Sequence, residues 1–403
     1  MAVIRPFRAV RPVPASASRV AAVPYDVVDA DEARALAAGN PLSFLHVSRA
    51  EIDLPAGVDP HDDRVYRTAA ERYRGLKLDA PFVAEREPSF YVYHLAAGDH
   101  GQTGVAACYS LDEYDNGTIK KHERTRKDKE DDRTRHIIDL RAQTGPVFLI
   151  HRPNPQIDGL TKRVRLTTEP LVDFEALDGV RHTLWRLDAK DDEALVNAFA
   201  SVNALYIADG HHRAASAARA REAVRDSEEA RFFLAVAFPS DQVRILPYNR
   251  VIRDLKGMTP QQFLGEVARR FSMTSGPASP DEKGRVSMYV DGKWYTVDLE
   301  SGGLPGASII DALDCNILQE RLLRPILGIQ DVRTDTRIDF VGGARGTRAL
   351  EQPVDSGKAA AAFSMYPVST VELMDVSDAG AIMPPKSTWF EPKLRDGLLI
   401  HEI

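Results

Sequence analysis

Cysteine is scarce. The 403 residues hold two, Cys108 and Cys315. Both sit in apolar stretches, which excludes a disulfide framework or a cysteine-rich metal centre and predicts reduced core thiols of a cytoplasmic protein. Neither lies in an evidently electropositive stretch, so a reactive thiol is not expected. Cys-x-x-Cys and His-Glu-x-x-His are both missing, so zinc ranks below magnesium although His122, His182, His211 and His212 could each ligate a metal. No apolar run approaches a membrane span, and Met1 to Phe7 lacks the apolar core of a signal peptide; no membrane partner is expected. Positive charge is not in excess: 52 Lys and Arg against 59 Asp and Glu give a net charge of −7, which argues against nucleic acid as a partner. Gly-x-Ser-x-Gly, the Walker A loop and Gly-x-Gly-x-x-Gly before a helix are absent too, so a phosphate would need a different loop. The remainder is ordinary for a globular protein with a sizeable core: 43% hydrophobic, 28% charged, without an internal repeat.

The densest chemistry runs from Ala204 to Ala217. An apolar strand pattern ends in Asp209-Gly210, His211-His212-Arg213 follow, and an alanine-rich helix pattern begins. A strand, tight turn and helix in this order place free backbone N–H groups and a positive dipole end beside a strand end, which is an anion site. Gly210 allows a sharp turn. Arg213 carries a fork of donors that matches a phosphate. Asp209 is a hard oxygen ligand of the type that holds magnesium. Each residue alone has a bland reading, since Asp-Gly pairs make turns and vicinal histidines are often surface residues. The five together favour a site. The second dense stretch is Lys120-Lys121-His122-Glu123-Arg124-Thr125.

Two or three domains are expected at this length. We place an N-terminal α/β segment at 1–110, a core at 111–255 and a C-terminal α/β domain at 256–403, with a soft boundary near 253–260. Asp31 reads as the N-cap of a helix through Ala38. Ser43 to Arg49 reads as a strand, and Asp26, His46 and Arg49 as weak site candidates. Helical spacing covers 61–77. Strands are expected at Phe90–Leu95 and Gly104–Tyr109, paired antiparallel, then at 147–150, 166–174, 180–187, 232–238 and 243–252. Asp115-Asn116-Gly117 is a turn, and the mixed charge run Arg124 to Arg135 an exposed helix or loop. Helices are expected at 191–201, from Thr259-Pro260, at 309–323 and at 368–378. A hairpin over 286–299 turns at Asp291-Gly292, and Arg337 to Val341 is a strand. Met383 to Lys393, rich in proline and aromatics, suits a rigid loop closing over a site, or a packed tail.

If the Asp209 turn binds phosphates, a carboxylate must orient or deprotonate the acceptor. Glu123 is the candidate base, with His122 and Lys121 beside it as catalytic candidates. Lys120 joins Gly210 and Arg213 in holding phosphates, with Asp209 as metal ligand. His182, Trp185, Arg124 and Lys386 are the substrate-binding candidates.

Over nearly its whole length the chain resembles a prokaryotic family known as domain-of-unknown-function family 1015. The matching stretches are Ile4-Arg5-Pro6-Phe7, Pro24-Tyr25-Asp26-Val27, Lys120 to Glu123, His182 to Trp185, Asp209 to Arg213 and Pro384 to Trp389. More distantly, Asp209-Gly210-His211-His212-Arg213 with its small-residue helix is similar to the motif of the free-serine kinases of the ParB/sulfiredoxin-like fold. That resemblance covers about 111–250. It implies an α+β (mixed α/β) fold with a ParB/sulfiredoxin-like core and mixed sheet, elaborated by the terminal α/β segments. It implies Glu123 as base on a serine hydroxyl, Mg2+ on Asp209, phosphates on His211, His212 and Arg213, and ATP or ADP as nucleotide. Glu123 and Asp209 are 86 residues apart, longer than in the compact kinases, so an insertion around Thr144 to Trp185 is assumed. The expected activity is a small-molecule kinase; the alternatives are a nucleotide-binding switch or scaffold and a phosphate-ester hydrolase. Substrate and nucleotide are the expected partners, with room for a homodimer.

Overall fold

The computed structural model describes residues 1–79, 82–299 and 308–403. The fold is mixed α/β with mixed sheets. The chain divides into two units, Met1–Val243 with Pro392–Ile403, and Arg244–Glu391.

The main sheet of the first unit has nine strands: β1 (Ile4–Arg5), β2 (Tyr91–Ala97), β3 (His100–Ser110), β4 (Ile119–Lys120), β5 (Val147–His151), β6 (Val172–Glu175), β7 (Arg181–Arg186), β8 (Leu205–Asp209) and β9 (Phe232–Pro239). They lie in the order β4-β8-β5-β9-β3-β2-β7-β6, with β1 on β3. β8 runs parallel to β4 and β9 parallel to β5; the other pairs are antiparallel. Alternation along the strands sends Val105, Ala107, Tyr109, Val147, Leu149, Leu205, Ile207, Phe233, Ala235 and Ala237 into one core. Helix α1 (Lys127–Leu140) packs against helix α2 (His211–Ala223), which follows β8 directly. A second core under the helices Ala30–Ala37 and Asp63–Asp79 gathers Phe44, Val47, Tyr73, Leu140 and Ile400.

Several expectations shift here. The boundary at 110 disappears, because β3 pairs with both β2 and β9 and so joins the first expected segment to the core. The boundary near 255 moves to 243/244, and 392–403 returns to the first unit. The stretch 144–185 is not a simple insertion, since β5 lies between β8 and β9. The first helix is capped by Asp29, not Asp31: Asp29 accepts from the backbone of Asp31 and Glu32, and Glu32 returns the bond to Asp29. Ser43–Arg49 is not a strand; Leu45–Ser48 is one helical turn, entered through the Ser43 hydroxyl accepting from Leu45 N–H. Pro155–Thr167 is a helix, capped by Asn154 with proline at its first position. The charged run is helical, but Asp132 and His136 are buried in it.

The second unit holds a six-stranded antiparallel sheet, in the order 272–275, 293–298, 285–290, 361–365, 248–252, 338–342. Its hairpin turns at Asp291 (φ 51°) and Gly292 (φ 74°), the double left-handed pair of a tight two-residue turn. Helices cover Pro260–Ala268, Asp314–Leu318 continuing with wider turns over Gln319–Leu327, Arg348–Asp355 and Thr370–Asp378. No helix among the described residues is long and apolar enough to cross a membrane.

Candidate active site

β8 ends at Asp209, Gly210 turns with φ 94°, and α2 starts at His211 with no side-chain cap. Its first N–H groups therefore have no capping side chain. A Cβ on Gly210 would stand 3.0–3.4 Å from the Arg213 guanidinium, in a backbone region that other residues rarely adopt. The strand–turn–helix reading of this motif holds.

The two histidines bond the loop that carries Glu123. His211 Nε2 accepts the backbone N–H of His122 at 3.4 Å, and His212 Nε2 accepts that of Arg126 at 3.0 Å. Together they staple the 122–126 loop to the start of α2. The His122 and His211 rings meet edge to face with centroids 4.5 Å apart. Glu123, with its side chain 47% exposed, has Oε2 4.0 Å from His211 Nδ1. So Glu123 and the Asp209 turn converge on His211. Burial pushes His211 well below its ordinary pKa, with His122 adding to the effect, and pushes His122 down to about 4. Both rings are neutral near pH 7. Since His211 Nε2 accepts a proton, the ring's own proton belongs on Nδ1, facing Glu123.

Arg213 is 8% exposed. Two of the three nitrogens of the fork are engaged internally: Nη1 donates to the Pro146 carbonyl, while Nη2 stands 2.9 Å from Asp209 and 3.8 Å from Asp26; Nε is buried without a hydrogen-bond partner among the described residues. Asp209 is held in turn by Lys393, whose Nζ is 3.6 Å from Oδ1. Burial opposes ionisation of Asp209, but Lys393, Arg213 and His211 hold its carboxyl down at about 2. Arg213 and Lys393 each face one oxygen of Asp209 and compete with a magnesium ion for it. His122, Glu123 and His211 do bring one ligand atom each within 4.8 Å of one another. The proton on His211 Nδ1 opposes a metal there as well.

Other expected residues are placed as follows. The Lys121 ammonium lies 3.5 Å from the centre of the Tyr114 ring, a cation–π seat. Lys120 lies on β4, half-buried, and Arg124 is exposed beyond Glu123. His182 and Trp185 are corrected: both are buried on β7, five strands along from β8. His182 Nδ1 meets the Tyr93 hydroxyl at 2.9 Å and its ring stacks on Phe174; Trp185 packs in the main core. They are core residues, because β7 is covered on both faces. Lys386 belongs to the second unit. His46 is tied to Asp53 at 2.8 Å.

Sequence reasoning missed Lys393, Arg133 and Asp396, gave Tyr25 no role and named Asp26 only as a turn or site candidate. Asp396, 2% exposed, lines a small pocket with Tyr25, Arg133 and Arg213. Arg133 lies 4.3 Å from the Tyr25 ring centre. Burial pushes Asp396 up to about 7, with Asp26 adding and Arg213 and Arg133 opposing. The only trace of Lys393 in the sequence is that it ends the proline- and aromatic-rich stretch; nothing there separates it from Lys386.

Residues 4–316 match the family described as protein of unknown function, DUF1015. The chain belongs to that family. Among solved structures, a mutant free serine kinase in complex with AMP is 10% identical, with a TM-score of 0.37, over 74% of this chain and 91% of that one. A conserved hypothetical protein from Pyrococcus furiosus is 12% identical, with a TM-score of 0.36, over 74% and 95%. SbnI with a C-terminal truncation, from Staphylococcus aureus, is 11% identical, with a TM-score of 0.38, over 72% and 85%. A comparison with curated proteins finds no match.

Proposed function

We propose that the first unit is a nucleotide-dependent small-molecule kinase that phosphorylates a hydroxyl, with free L-serine as the acceptor and ATP or ADP as the donor. One observation carries this reading: Glu123 and the Asp209 turn, far apart in the chain, meet across His211, with 4.0 Å between Glu123 Oε2 and His211 Nδ1. Glu123 is the half-exposed carboxylate and acts as base on the acceptor hydroxyl, with the neutral His211 ring turning its Nδ1 proton toward it. The uncapped start of α2 receives phosphate oxygens on backbone N–H groups. Lys393 offsets charge beside them. Arg213 positions Asp209 and does not itself grip the nucleotide. Asp209, kept ionised by Lys393 and Arg213, is the residue that would hold a magnesium accompanying the nucleotide.

The test incubates the purified full chain with ATP or ADP, magnesium and L-serine, and looks for O-phosphoserine by mass spectrometry. Glu123→Gln is expected to lose about a hundred- to ten-thousand-fold in rate, the usual cost of removing a general base. Its melting temperature is expected to stay at the wild-type value, because the side chain is half-exposed. Equal product from both proteins, or none from either across a panel of hydroxyl acceptors, ends the proposal. Phosphate released with no acceptor present points to the hydrolase instead.

A further inference from the structure

The second unit contains a buried positive charge with no negative partner. Arg250, on the strand Tyr248–Ile252, is 5% exposed. Among the described residues no carboxylate forms an ion pair with it. Its Nη1 donates to the Tyr248 carbonyl and its Nη2 to the Lys386 carbonyl at 3.4 Å. The Phe340 ring centre is 5.4 Å from its guanidinium carbon, and the Cys315 thiol is also beside it. These partners are dipoles and a ring face; none brings a compensating charge. Burial lowers the Arg250 pKa, and only Cys315 works the other way. A guanidinium removed from water without a counter-charge is expensive, and arginine is the side chain best shaped to clasp an oxyanion from within a protein.

A second cation is carried by the residue whose carbonyl Arg250 bonds. The exposed Lys386 has its Nζ 3.4 Å from the Tyr248 hydroxyl and 5.1 Å from that ring's centre, and no carboxylate among the described residues pairs with it either. Its backbone has φ 57°, a left-handed conformation that costs a side-chain-bearing residue energy and collects at functional sites. The strain is kept in place from two sides. The Lys386 carbonyl accepts from Arg250, and the buried Ser387 hydroxyl donates to the Pro384 carbonyl while touching Cys315 Sγ at 3.3 Å. The backbone thus holds an ammonium group over Tyr248 beside a strand that carries an uncompensated guanidinium.

We propose that Arg250, Lys386 and the Tyr248 hydroxyl form an oxyanion site in the second unit that takes a phosphate group. Two positive charges, one a planar fork and one a point charge, match a phosphate dianion better than a single carboxylate. The same chemistry would accept inorganic phosphate or the phosphate of a small monoester. The site uses only residues of the second unit, so it stands or falls separately from the kinase reading.

The experiment uses the full chain labelled with 5-fluorotryptophan, whose three tryptophans give three fluorine resonances. Trp389 is the reporter, since its ring lies 5.3 Å from that of Tyr248; its signal is assigned with Trp389→Phe. Inorganic phosphate is titrated in, with acetate at equal ionic strength as control, and glycerol phosphate as the monoester arm. Phosphate is expected to shift the Trp389 signal saturably and acetate not to. Lys386→Ala is expected to weaken the response by about tenfold or more, the effect of one charge-assisted contact. Arg250→Lys, which keeps the charge but loses the fork, is expected to weaken it too. No saturable shift, an equal shift with acetate, or a shift of undiminished affinity in Lys386→Ala overturns the proposal. If glycerol phosphate binds more tightly than inorganic phosphate, the ligand is a monoester; if only the inorganic ion binds, it is free phosphate.

Discussion

Arg213 and Arg250 are both buried arginines, one in each unit, and they are buried on opposite terms. Asp209 and Asp26 flank Arg213 at 2.9 and 3.8 Å. Burial works against its charge, but Asp26, Asp209 and Asp396 more than restore it, so its pKa is raised. Arg250 meets carbonyls, a thiol and a ring face, and its pKa is lowered by burial. The contrast separates two uses of one side chain. A guanidinium neutralised by its own protein is a structural member, even inside a candidate active site. One left without a counter-ion is arranged for a charge from outside. Motif reading alone inverts this, because Arg213 sits in the recognisable stretch and Arg250 in an unremarkable strand.

The largest effect expected from this contrast is on stability. Arg213→Ala should cost up to about 5 kcal/mol of unfolding free energy, because it empties a buried site, breaks the bonds to Pro146 and Asp209, and leaves Asp209 to Lys393. Urea denaturation at pH 7 measures it; a loss no greater than that of a surface substitution would break the comparison.

The next effect sharpens it through pH. Asp396 is the carboxyl near Arg213 that is pushed up, to about 7. A raised acid favours the protonated fold, so its stabilisation is complete below the ordinary value near 4 and drains away as pH climbs through 7. Relative to Asp396→Asn, the wild type should lose on the order of 4 kcal/mol between pH 4 and pH 7. Melting curves of both proteins across that window check it, and parallel pH profiles would show that Asp396 is not held neutral.

The smallest effect belongs to Arg250→Met. It removes donors from two carbonyls and strands no acid, so about 1–3 kcal/mol is expected. If this variant proves as damaging as Arg213→Ala, the two arginines are not buried on different terms.

Much of the fold was legible because its signals are local. The antiparallel pair Tyr91–Ala97 and His100–Ser110, the turn at Asp291-Gly292 and the helix opened by Thr259-Pro260 each announce themselves within a dozen residues. The errors came where one local signal masked another. Asp31 looked like a cap, but Asp29 two residues earlier completes a capping box with Glu32. Asn154-Pro155 starts a helix that was passed over beside the apolar strand before it. Within the candidate site, Glu123, Asp209 and His211 stand out in the sequence because their types and spacing point to chemistry. Whether Arg213 faces a ligand or a carboxylate depends on Asp26, Pro146 and Asp396, which come from three distant stretches. Lys393 was invisible for the same reason. His182 and Trp185 were drawn in by a matching stretch that marks core packing on β7.

The strands at Arg244–Leu246 and Trp389–Glu391 pair antiparallel, with Arg244 opposite Glu391. The chain therefore leaves the first unit and comes back to it through two points one strand spacing apart, about 5 Å. To the polypeptide, 148 residues of detour amount to almost no displacement. A linker of about three residues from Val243 to Pro392 could close that gap. In chain topology the second unit is thus an insertion whose two ends meet, so the polypeptide re-enters its first framework beside the point where it departed.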